Sequence, residues 1–107
     1  MEAARKNTEL FSNEAADDLL ASVDHYASEK GYKFTVSKNK YKVKYEVLFE
    51  AREGVQDKFG VQIRILQVSD AQNCLEISRI EGDTNRFFAE YKEFKKHFAG
   101  LSDEKAQ

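Results

Sequence analysis

The chain has 107 residues, one domain's worth, with 41% apolar and 12% aromatic residues, enough for one compact core and too many for a wholly disordered chain. Seventeen basic residues stand against nineteen acidic ones, so no global field marks a nucleic-acid binder. A single cysteine excludes an intramolecular disulfide and any multi-cysteine metal site, and suits a reducing, cytoplasmic compartment.

Residues 1–10 carry little pattern and read as a flexible lead-in, although Leu10 and Phe11 can tuck against a core. From Ser12 the pattern becomes helical. Ala16, Leu19, Leu20, Val23, Tyr26 and Ala27 recur at three- and four-residue intervals, with Ser12 or Asn13 as cap and Gly31 as stop. These signals predict a helix over about 13–30.

After Gly31 the period drops to two. Tyr32, Phe34 and Val36 alternate with Lys33 and Thr35, and Ser37-Lys38-Asn39 reads as a tight turn with Asn39 able to take positive φ. Tyr41, Val43, Tyr45, Val47 and Phe49 then give the clearest alternation in the chain, against Lys40, Lys42, Lys44, Glu46 and Leu48. A polar loop is expected over 52–58, a third strand over about Phe59–Val68, a turn over 69–73, and a fourth strand from about Leu75 to Ile80.

Gly82-Asp83 opens a last helix, with Asp83 or Thr84 as N-cap. Phe87, Phe88, Tyr91, Phe94 and Phe98 form an aromatic stripe at helical spacing, read as the other half of the core. Glu90, Lys92, Glu93, Lys95 and Lys96 are read as outside it. The pattern ends at Gly100, leaving a polar tail at 102–107 and a module at 11–101. The expectation is an α+β domain: a four-stranded antiparallel sheet with an N-terminal and a C-terminal helix on one face, in the order α-β-β-β-β-α.

Catalysis finds no support. There is no glycine-rich phosphate loop, no nucleophile elbow and no paired-histidine zinc motif. Cys74 opens an apolar strand and reads as a buried thiol. His25 and His97 lie beside the apolar stripes and offer only two imidazoles to a metal. Asp17-Asp18 and Glu81/Asp83 are explained by helix-end electrostatics. The chain reads as no enzyme, with no cofactor and no metal. Nucleic acid is a weak alternative, because aromatics of the second strand share a face with Val43 and Val47 while the opposite face carries lysines and no stacking platform.

The net charge hides a segregation. Residues 1–29 carry −5, residues 30–45 carry six lysines and no acid, and residues 46–107 carry −3. Lys40, Lys42 and Lys44, at i, i+2 and i+4, are expected to project from one strand face about 6.5–7 Å apart, with Lys38 and Lys33 extending the row. A solvated or blunted sheet face explains such a row as well as a contact surface does. Near an anionic bilayer each such charge would contribute about 1 kcal/mol.

Three strings resemble kinase-associated domain 1, the C-terminal regulatory domain of Ser/Thr protein kinases of the MARK, checkpoint, calcineurin-B-like-interacting and AMP-activated types. Phe11-Ser12 before an acidic amphipathic helix resembles the family's entry. Gly31-Tyr32-Lys33-Phe34 leading to SKNKYKVKYE resembles its basic hairpin, and CLEISRIEGDTNRFFAEYKEFKKHF resembles its last strand and aromatic helix. The likeness covers residues 11–99. It implies a non-catalytic module that docks on its own kinase domain or a protein partner, with weak binding of acidic phospholipid headgroups at the membrane periphery. Lys33 and the hairpin lysines Lys38, Lys40, Lys42 and Lys44 would make the contact. The alternative is a scaffold domain that assembles a protein complex without lipid binding or kinase autoinhibition. Oligomeric state is left open.

Overall fold

The structure is a computed structural model and describes residues 8–98. Its elements run β1 (Thr8–Ser12), α1 (Ala16–Lys30), β2 (Lys33–Ser37), β3 (Lys42–Arg52), β4 (Val55–Ser69), β5 (Gln72–Glu81) and α2 (Thr84–His97). The five strands form one antiparallel sheet in the order β1-β5-β4-β3-β2. The expected four-stranded sheet is therefore corrected to five strands, and the chain order to β-α-β-β-β-β-α. Thr8–Ser12, whose first three residues fall in the expected lead-in, pairs with β5 from Thr8↔Ile77 to Ser12↔Asn73. Its Leu10 is fully buried in the core. The 102–107 tail and Gly100 lie outside the described residues.

Both helices pack on one face. Leu19, Leu20, Val23 and Tyr26 of α1 and Phe87 and Phe94 of α2 meet Val43, Tyr45, Val61, Ile63, Leu75 and Ile77 in a single core. Burial of each such aromatic contributes about 1.5–3 kcal/mol. The five-aromatic stripe holds only in part: Phe88 is exposed, and Tyr91 and Phe98 pack at the margin.

Local chemistry sets the boundaries. Helix α1 starts three residues later than expected, because Ser12 Oγ accepts the Glu14 amide in a turn of its own and no side chain caps Ala15. Asp17 and Asp18 still lie in its first turn, where the helix dipole favours them. Gly31 ends it at φ 74°, as expected, with Gly31 N–H donating to Ser28 and Tyr32 N–H to Ala27. The polar loop expected over 52–58 is instead the tip of a long β3–β4 hairpin turning at Glu53-Gly54, with Gly54 at φ 75°. Asp83 caps α2, its carboxylate accepting the Asn85 amide at 3.0 Å.

An internal polar cluster joins α1, α2 and β3. Glu90 of α2, 6% exposed, accepts the phenols of Tyr26 (2.6 Å) and Tyr45 (2.8 Å) on Oε2 and that of Tyr32 (2.8 Å) on Oε1. Glu90, placed outside the stripe by the sequence reading, is thus an inward residue. Tyr32 and Tyr45 stack at 5.1 Å, and Tyr26 meets Phe94 edge-on at 5.1 Å. Burial, then the hydrogen bond and charge of Glu90, push all three phenols well above their ordinary pKa.

Candidate docking surface

The strand β3 keeps the predicted alternation from Val43 onward. Val43 and Tyr45 are buried beneath the helices, Val47 and Phe49 pack at the core's margin, and Lys44, Glu46 and Leu48 face the open side of the sheet. The strand does not begin at Tyr41. Lys38–Lys40 form a turn of 3-10 helix, and Tyr41, not Asn39, takes the left-handed conformation at φ 50°. Three hydrogen bonds hold this unfavourable backbone. Tyr41 N–H donates to Lys38, its carbonyl accepts from Ile65, and its phenol donates to Asp17 Oδ1 at 2.7 Å. That last bond raises the Tyr41 pKa.

The turn breaks the expected lysine row. Lys42 and Lys44 remain on the open face, one strand inward from Lys33, which pairs in register with Glu46. Lys40 is exposed in the 3-10 turn, off the strand. Lys38 lines a cleft of about 620 Å³ on the helix side with Asp17, Asp24, Leu20 and Val36. So the structure brings Lys33, Lys42 and Lys44 together and sends Lys38 elsewhere.

Ion pairing separates these lysines from their neighbours. On the same open face Arg64 is held by Glu76 at 2.9 Å and Lys58 reaches Glu46 at 3.6 Å. Among the described residues no ion pair engages Lys33, Lys38, Lys40, Lys42 or Lys44. Beside them lies a notch of about 290 Å³ at Gly60, lined by Lys33, Lys44, Glu46, Glu81, Phe34 and Ile80 among others. Exposed Leu48, which the strand alternation set on the lysine face, and exposed Ile80, which the sequence did not mark, add apolar surface. For Leu48 the signal was its alternation with half-buried Val47 and Phe49.

The remaining candidates are placed differently. His25 and His97 line one shallow groove between the helices, but His25 leans on Glu29 (3.4 Å) and His97 on the Tyr26 ring (4.9 Å). Among the described residues no group of three or more metal-ligating side chains converges. Cys74 is buried in β5. No described helix is long and apolar enough to cross a membrane. The open face thus carries Lys33, Lys42 and Lys44 beside a notch whose lining mixes lysine, glutamate and apolar side chains.

No family model matches the chain, and no curated protein matches it. Among solved structures it is similar to a chain in the crystal structure of the adenylate sensor from AMP-activated protein kinase, bound to 5-aminoimidazole-4-carboxamide 1-β-D-ribofuranotide. Identity is 18%, the TM-score 0.62, and the match covers 84% of this chain and 94% of that one, so the two share a fold.

Proposed function

We propose that this domain is a non-catalytic regulatory module of a Ser/Thr protein kinase, of the kinase-associated-domain-1 type. It docks on a kinase domain or another protein through Lys33, Lys42 and Lys44, with Lys38 and Lys40 at the flank. The observation that carries the reading is a set of lysines that no ion pair engages among the described residues, on a fold shared with part of an AMP-activated kinase's adenylate sensor. Charges already neutralised by neighbours add little to association, whereas unpaired ones steer and select an acidic partner. Acidic phospholipid headgroups are the second ligand of the same lysines, and the acidic α1 makes that contact weak.

The experiment begins with the complete gene product, in which a Ser/Thr kinase catalytic domain is expected. Adding this domain in trans to that catalytic domain should lower peptide phosphorylation. The variant with Lys33, Lys42 and Lys44 all changed to Glu should not. A gene product with no kinase domain would replace the reading with that of a scaffold module. Co-sedimentation with phosphatidylserine vesicles tests the lipid arm: binding that is absent at low salt removes it.

A further inference from the structure

The strand β2 ends the sheet, and among the described residues no strand lies along its outer edge. The two sides of that edge differ in chemistry. On the open side stand Lys33, on β2 itself, and Lys42 and Lys44 on the next strand inward. On the helix side Phe34 and Val36 are half-buried at the core's margin, and the adjoining cleft is lined by Asp17 and Asp24. An added strand lies about 4.8 Å from β2, and its side chains alternate between these two sides.

We infer that the free edge of β2 accepts an extended acidic peptide as a sixth strand. Its acids would stand beside Lys33 on β2, with Lys42 and Lys44 one strand farther in adding to the positive field, and would alternate with apolar side chains set against Phe34 and Val36. This rests on the docking reading and adds its mode: backbone pairing supplies affinity, and the alternate pockets supply specificity. Charge decides the occupant. A second copy paired edge to edge would bring two lysine clusters together across the junction, and like charges so placed oppose pairing. On the helix side Asp17 and Asp24 share their cleft with Lys38, while Phe34 and Val36 offer apolar surface, so apolar side chains match that side better than a uniformly acidic run.

The probe is a blocked peptide of about six residues alternating glutamate and valine, matched to a typical strand length. It is titrated into the full chain and followed by amide exchange and chemical shifts of residues 33–37. The expected result is slowed exchange of alternate β2 amides. N-methylation of the peptide on one phase of alternate residues should weaken binding at least tenfold, and on the other phase should not. Binding that leaves β2 exchange unchanged and is equally tolerant of both N-methylated phases overturns strand addition while leaving docking intact. Failure of the peptide to bind at low salt overturns strand addition. Failure of the catalytic domain to bind as well removes the docking reading, and vesicle binding alone would assign the lysines to lipid.

Discussion

Glu90 of α2 and Tyr45 of β3, 45 positions apart in the chain, share a 2.8 Å hydrogen bond inside the core. With Tyr26 and Tyr32 on the same carboxylate, this contact fixes how α2 and α1 sit on the sheet. An ionised carboxyl group accepts and does not donate, which suits three converging phenols.

Glu90→Ala leaves Tyr26 and Tyr45 buried without an acceptor and should cost about 3–5 kcal/mol, read as a lower midpoint in urea. Glu90→Gln keeps one acceptor oxygen and should cost about 1–3 kcal/mol. A double-mutant cycle with Tyr45→Phe should return coupling of about 1 kcal/mol or more. Additive losses would mean that the bond does not hold the elements together.

The phenols also set the alkaline limit. A phenol whose pKa is raised by folding holds its proton more tightly in the folded chain. Below the ordinary value of 10.0 both states are protonated and the contribution is complete. Above it the unfolded chain releases protons that the folded chain keeps, so stability falls as pH rises. The limiting slope is about 1.4 kcal/mol per pH unit for each such phenol. Ring-labelled tyrosine followed by NMR should show Tyr26 and Tyr45 ionising only as the fold is lost. Ionisation of Tyr45 near pH 10 with native dispersion retained would contradict this.

Gly82 separates β5 from α2 at φ 97°, and a β-carbon there would lie 2.7 Å from Phe59 Cα and 2.9 Å from the Lys58 carbonyl. Gly82→Ala should therefore destabilise by more than about 2 kcal/mol. Gly54 has a similar φ of 75° but open space around it, and Gly54→Ala should cost only about 1 kcal/mol. Thermal melts of the two variants separate steric collision from backbone conformation, and equal losses would refute the distinction.

Leu10 tests the fifth strand. If Thr8–Ser12 were a loose lead-in, Leu10→Ala would be silent. Buried fully between Leu75 and the core, it should cost about 2–5 kcal/mol.

The sequence discloses those features whose determinants are local. The α1 stripe, the Gly31 stop, the β3 alternation from Val43 onward and the Asp83 cap depend on residues a few positions apart, and each is found where the pattern puts it. β1 is different: five residues with two apolar side chains show no period, and their partner β5 lies more than sixty positions away. The Tyr41 conformation is equally hidden, since an aromatic residue takes positive φ only because Ile65 and Asp17 bond to it. That turn is why a row of three lysines spaced by two became two on the strand and one off it. Glu90 did leave a trace. It sits three residues after Phe87 and four before Phe94, on the axis of the buried stripe, whereas exposed Phe88 lies off that axis. A charged residue on an apolar axis, with tyrosines on the facing elements, is the signature of a buried acceptor.

The docking account turns on Lys33, Lys42 and Lys44 acting as a group. Calorimetric titration of the kinase catalytic domain against the wild-type chain, the Lys33→Glu, Lys42→Glu, Lys44→Glu triple variant, and a Lys92→Glu control on the exposed face of α2 measures this directly. The account predicts at least a tenfold loss of affinity, about 1.4 kcal/mol, for the triple variant and no change for the control. Equal affinity of all three proteins would contradict it.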